Sequence, residues 1–351
     1  MDFFVFVFLI FAFCGIKPVQ DKCGINNFSL SQCNALKGIF AVFVVLHHIS
    51  QCLYADGADR PFGLFFRFIY GHGNYATAVF FLISGYGLAV QFLTRGREYI
   101  KSFPGKRLMS VIIPLLLAFF IYWGISRFYT GISLKSAFLS LFGGQPIISN
   151  SWYVLAIIDF YIAFFITAVV VGNNRKLPFV AAITVFWIIF CVFCRAAGYN
   201  SWWYTTAHCF IIGICLGMYR EKVTKLICSH YVAAVLFVTV ILAAFEALTL
   251  ANINSAYINF VFTVCRTALF SVLIFVLSLK FQIGNAAVRF ISGISYELYL
   301  IHGIIIALLL NYRVLQRFGF AVFIALALVL SFVSAVLYNA ADRLIFRVIH
   351  K

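Results

Sequence analysis

The chain alternates long apolar runs with short charged segments from one terminus to the other, and that alternation constrains its fold more than any single motif. Eleven runs lie between the charge clusters, at about 2–16, 38–53, 76–93, 108–126, 153–171, 178–194, 204–218, 231–250, 257–279, 291–310 and 319–341. A bilayer core takes about 20 apolar residues as helix, and most of the runs approach that length. Of the 351 residues, 64% are hydrophobic and only 10% charged, with 43 phenylalanines. Surface-to-volume scaling leaves no way for a water-soluble chain of this size to bury so much apolar side chain. The expected fold is therefore all-α, a polytopic transmembrane helical bundle of about ten core helices plus one extra N-terminal helix. The run 2–16 is short and 204–218 is polar at its start. No long polar domain or internal repeat interrupts the series. Residues 1–33 read as the extra helix and a cytoplasmic loop, and 34–351 as one transmembrane domain.

The formal charge of +16 would suit a nucleic-acid binder, but its distribution does not. Of the 26 Lys and Arg residues, 18 fall in one set of alternate loops and 7 in the other, with only Arg266 inside a run. The richer set includes Lys17, Lys22, Lys37, Arg95, Arg97, Lys101, Lys106, Arg107, Arg175, Lys176, Arg289 and Lys351; the poorer includes Arg60, Arg67, Arg127 and Arg195. The positive-inside rule places the richer set in the cytoplasm. The N-terminus is then outside, if the first helix is retained rather than cleaved as a signal segment, and the C-terminus is cytoplasmic. Membrane lipid is the expected partner and nucleic acid is not. Most of the ten cysteines sit in apolar runs, where they act as small hydrophobes. No paired CxxC spacing is present, so no metal site is expected.

Within this frame the stretch "LKGIFAVFVVLHHIS" (residues 36–50) is unusual, because ionisable groups in an apolar run are costly. Lys37 and His48 are eleven residues apart. At 100° per residue they share one helix face, about 16 Å apart along the axis. His47 points about 100° away. The pair reads either as a snorkelling lysine with a hydrogen-bonded interfacial histidine, or as a functional constellation. Other ionisable groups at depth are Asp159, His208, Glu246 and Arg266, which pair with each other, line a path or sit near helix ends. Cys52 lies one turn beyond His48 on the same face.

The stretch resembles the first core helix of the family-3 membrane acyltransferases, in which a basic residue is followed eleven positions later by a histidine. The resemblance continues in order along residues 34–345. "AVFFLISGYGL" carries Ser84, Gly85 and Tyr86; "GKRLMSVIIP" carries Lys106 and Arg107; "NSWYVLAII" carries Trp152 and Tyr153; "ISYELYLIHG" carries Tyr296, Glu297, Tyr299 and His302. The departure is Lys37, where arginine is usual. The charge is kept but the planar fork for phosphate is lost. The resemblance implies a multi-pass enzyme of the inner (plasma) membrane that moves an acyl group, most often acetyl, from acetyl-CoA or another acyl-CoA to a glycan or lipid-linked sugar acceptor. It implies His48 as the catalytic base or acyl carrier and Lys37, Lys106 and Arg107 as donor-binding groups. His47, Ser84, Gly85, Tyr86, Trp152, Glu297 and His302 would line the site. The outer loops 54–75 and 127–151, with Tyr54, Phe62, Tyr70, Tyr75 and Tyr129, would meet the acceptor. The competing reading is a transporter or flippase without covalent chemistry, its path lined by Arg266 and Glu246; a non-catalytic scaffold is a third. The sequence assigns no oligomeric state.

Overall fold

A computed structural model describes residues 2–19, 23–56, 63–148, 150–250 and 255–349. Lys22, Arg60, Phe62 and Lys351 lie outside them. In chain order the helices are α1 (Asp2–Phe13), α2 (Leu30–Asp56), α3 (Leu64–Gly71), α4 (Gly73–Phe103), α5 (Met109–Thr130), α6 (Leu134–Ser140), α7 (Trp152–Val171), α8 (Lys176–Ala196), α9 (His208–Met218), α10 (Arg220–Ser229), α11 (Tyr231–Leu250), α12 (Ala256–Ser278), α13 (Ala286–Ser292), α14 (Ser295–Asn311) and α15 (Val314–Ile349). Among the described residues the only strands are two-residue pieces, Lys17–Pro18 and Phe281–Gln282, paired antiparallel.

Every apolar run is helical, and the all-α membrane bundle is observed. Among the described residues, seven continuous helical stretches are long and apolar enough to cross a membrane, or up to eight if the bent pair α13–α14 is one span. One of the seven, Gly73–Thr130, has 58 residues, about 87 Å of helix at 1.5 Å per residue. That is nearly three hydrocarbon thicknesses, so it holds two passes, α4 and α5, joined by a π-helical turn at Pro104–Leu108. Of the core helices expected, α9 is short, with only 11 residues. The polar start of its run is buried, and Thr205 and Thr206 are spent on a cavity wall rather than on helix length. The extra helix α1 is also short, at 12 residues.

The alternate loops gather at two ends. At the basic end, the N-terminal strand pairs with Phe281–Gln282, Asn27 Nδ2 donates to Leu279 O at 2.8 Å, Lys176 Nζ donates to Met218 O at 2.8 Å, and Cys23 is disulfide-bonded to Cys228. Both of these cysteines lie outside the apolar runs, whose cysteines Cys191, Cys194, Cys209, Cys215 and Cys265 are free thiols. At the far end, Asp2 rests against Gly63, Trp203 Nε1 donates to Gly144 O, and Tyr129 donates to Tyr312. Helix α1 runs between the ends. Phe8 packs on Phe43 of α2, and Asn285, which caps α13, also donates to the carbonyls of Phe11 and Cys14.

The tightest packing is α4 against α9. A Cβ on Gly85 would fall 2.1 Å from Phe210 O, and one on Gly213 would fall 2.1 Å from Leu82 O. Gly217, one turn on from Gly213, faces Ala89. In lipid, helices associate by such close approach of small residues rather than by hydrophobic force. We expect Gly85→Ala and Gly213→Ala each to destabilise by about 1–3 kcal/mol, as overpacking does. Gly87→Ala, whose methyl meets nothing within 4 Å, should leave thermal unfolding of the purified protein unchanged.

Candidate active site

Two cavities lie on either side of Tyr299, the one residue that lines both. The far cavity, about 290 Å³, is bounded by His47, His48 and Gln51 of α2, Asn74 and Thr77 of α4, Asn150, Trp152, and the 202–206 turn. Its lining contains no Asp, Glu, Lys or Arg. The basic-end cavity, about 270 Å³, is bounded by Asn34 and Lys37 of α2, Ser84, Arg107, Tyr153, Tyr161 and Tyr296. Lys37 and His48 thus open into different chambers from the same helix, three turns apart.

Each histidine of the far cavity has a distinct hydrogen-bonding state. His48 Nδ1–H donates to Gln51 Oε1 at 2.9 Å, one turn away on α2, which leaves Nε2 as the acceptor. The His302 ring stacks on His48 with centroids 5.2 Å apart. His302 is fully buried and both its nitrogens are used: Nδ1–H donates to Leu298 O at 2.9 Å, and Nε2 accepts from Asn150 Nδ2 at 3.0 Å. An imidazole held this way has no site left for a second proton, so it orients its neighbour and does not exchange protons with it. The Asn150 carbonyl accepts from Tyr299 OH, so one residue holds both the stacked ring and the partition. His47 Nδ1–H donates to Ile69 O at 2.9 Å and ties α2 to α3.

Arg107 leaves the π-helical turn facing inwards. Its Nη2 donates to Tyr161 OH at 2.7 Å, the guanidinium lies 5.2 Å from that ring centroid, and buried Nε has no partner. Among the described residues neither Arg107 nor Lys37 meets a carboxylate, so both charges are available to an anion.

The structure brings together His47, His48 and Trp152 in one chamber, with His302 buried behind His48 rather than on the wall, and Lys37, Ser84 and Arg107 in the other. Four other expected site residues lie elsewhere. Lys106 is exposed and outside the cavity lining, because the turn at Pro104–Leu108 directs Arg107 inwards in its place. Tyr86 packs between Phe28 and Phe275, and Gly85 is consumed by the α9 contact. Glu297 is buried but accepts from Asn339 Nδ2 at 2.6 Å, towards α15. Cys52 does not line the cavity either. The outer-loop aromatics serve packing: Tyr54 stacks on Tyr70, Tyr75 on Phe270. Sequence reasoning missed Gln51, Asn150, Thr77, Thr205 and Thr206. Of these only Gln51, three residues after His48, had a spacing that pointed to it.

The remaining ionisable groups at depth resolve as follows. Glu246 Oε2 accepts from Arg266 Nη1 at 3.0 Å and from His72 Nε2 at 3.2 Å. His208 packs on Trp187. Asp159 faces outward from α7.

A family model described as an acyltransferase domain matches residues 31–340. The chain belongs to that acyltransferase family. No curated protein and no solved structure matches it. The two chambers, both histidines and both inward-facing cations all lie inside the matched acyltransferase domain, whereas α1 and the N-terminal strand precede it.

The Asn150 side chain is expected to matter to the fold of this site. Asn150→Leu keeps the volume but leaves buried His302 Nε2 without a donor, a loss of about 1–3 kcal/mol. Thermal unfolding of the purified variant measures it.

Proposed function

We propose that the protein carries an acyl group, most simply acetyl, from a cytoplasmic acyl-CoA to a hydroxyl of a cell-surface or lipid-linked glycan. The observation that carries this reading is the pair of chambers on opposite sides of Tyr299. The basic-end chamber holds two unpaired cations, which suit a phosphorylated donor through charge-assisted bonds. The charge-free chamber presents an imidazole acceptor nitrogen, amides, threonines and two tryptophans, which suit a neutral, hydroxyl-rich acceptor. The basic end is taken as cytoplasmic by the positive-inside rule.

In this mechanism the acceptor hydroxyl attacks the thioester carbonyl while His48 Nε2 takes its proton. The C–S bond breaks as the new ester C–O bond forms, and the proton passes to the departing thiolate. Gln51 holds the tautomer that a base requires, and His302 holds the ring plane. Tyr299 must swing aside for the thioester to reach His48, so it excludes water from the donor until the acceptor chamber is filled. The carrier reading lacks support at its own residues. Glu246 and Arg266 neutralise each other and lie outside both chambers.

Loss of a general base costs about 10²–10⁴-fold. His48→Ala is therefore expected to reduce label transfer from acetyl-CoA to membrane glycan by at least that range, while the protein still inserts and folds. Undiminished transfer by purified His48→Ala would overturn the mechanism. Tyr299→Ala is expected to raise acceptor-independent hydrolysis of acetyl-CoA relative to transfer, read as free thiol released per acylated product. Tyr299→Phe, which keeps the ring but loses the bond to Asn150, should fall between.

A further inference from the structure

Away from both chambers, a cleft of about 720 Å³ opens at the basic end between the last turns of α4 and the α7–α8 connection. It is more than twice the volume of either chamber. We propose that this cleft seats the phosphorylated nucleotide of the acyl donor, a proposal that rests on the acyl-CoA reading above.

Three cations converge on it: Arg97 and Lys101, one helical turn apart on α4, and Arg175 from the connection. Its lining contains no acidic side chain, and none of the three cations is in an ion pair among the described residues. All three are solvent-exposed, and they rim a single concavity. Their convergence has a local cause. Gly96 adopts φ +53°, ψ −130°, a conformation that breaks α4 and re-aims the turn beginning at Arg97. Gly96 then lies against the side chain of Asn173.

The rest of the lining suits a nucleotide rather than a bare phosphate. Val169, Val170 and Ile100 form an apolar wall for the face of a base, and Asn173 and Asn174 offer amides to its edge. The position also fits the donor path. Ala168 of the cleft and Tyr161 of the donor chamber are both on α7, seven residues or about 10 Å apart. A nucleotide seated here would be joined to a thioester in the donor chamber by an extended linker, for which the Phe103, Phe164 and Phe165 rings packed along α7 between the two would have to part. A lipid headgroup shares the phosphate chemistry but gives no reason for that alignment.

The test uses the full chain in nanodiscs and measures binding of coenzyme A and of 4′-phosphopantetheine, which lacks the nucleotide. The triple variant Arg97→Gln, Lys101→Gln, Arg175→Gln is expected to weaken coenzyme A binding at least tenfold and leave 4′-phosphopantetheine binding unchanged. Restoring charge with Arg97→Lys and Arg175→Lys on an otherwise native chain should keep most of the affinity. Unchanged coenzyme A binding by the triple variant overturns the cleft proposal and leaves the donor reading standing, as does an equal loss for both probes. A native protein that binds neither probe overturns the donor reading itself. Repeating the measurement with and without phosphatidylglycerol separates the sources. If the three cations govern retention of that lipid but not coenzyme A affinity, the cleft is a headgroup site and the proposal fails.

Discussion

Inside a bilayer a polar group has no water to turn to, so every buried donor and acceptor must find its partner in the protein. The reacting centre is organised by one such chain of bonds. Tyr299 donates to the Asn150 carbonyl, the Asn150 amide donates to His302, and His302 donates back to Leu298. The outcome is a ring with no free nitrogen, stacked beside His48 at an interplanar angle of 29°. His48 is left with one nitrogen bonded and one open. Asn150 precedes α7 directly, so the end of one helix sets both the partition and the imidazole plane on two others.

The distribution of charge follows from the same constraint. Near the far end the Glu246–Arg266–His72 cluster is closed upon itself, and the far chamber is left without formal charge. Towards the basic end the cations of the donor chamber face inwards and stay unpaired. An unpaired cation at depth is expensive, and it persists where a ligand completes it. Under the proposed reaction, the asymmetry between the chambers would separate the charged from the neutral reactant before any specific contact is considered.

Much of this was legible in the sequence, for physical reasons that can be named. The apolar runs are helical because the requirement to satisfy the backbone in lipid leaves no alternative. Lys37 and His48 share a face because helical geometry fixes their relation over eleven residues. Helical spacing also separates residues that a motif presents together: Glu297 and His302 are about 140° apart, and one turns to α15 while the other enters the site. What could not be read depends on tertiary placement. Whether Lys106 or Arg107 faces inwards is decided by a π-helical turn, and Asn150 and Tyr299 acquire their roles only when α7 meets α14. The short α9 was hidden because its buried threonines belong to a cavity rather than to a loop.

The glycine contacts between α4 and α9 have a bearing on how such a protein diversifies. Backbones already at van der Waals distance cannot slide or separate by degrees, so the two helices behave as one unit with Thr77 and the 205–206 turn fixed upon it. Under the proposed function, new acceptor preferences would not arise by repacking that wall, where an added Cβ at Gly85 or Gly213 collides with a main-chain carbonyl. They are left to the residues around its rim, at positions such as 152 and 202, which make none of the hydrogen bonds that hold the imidazole.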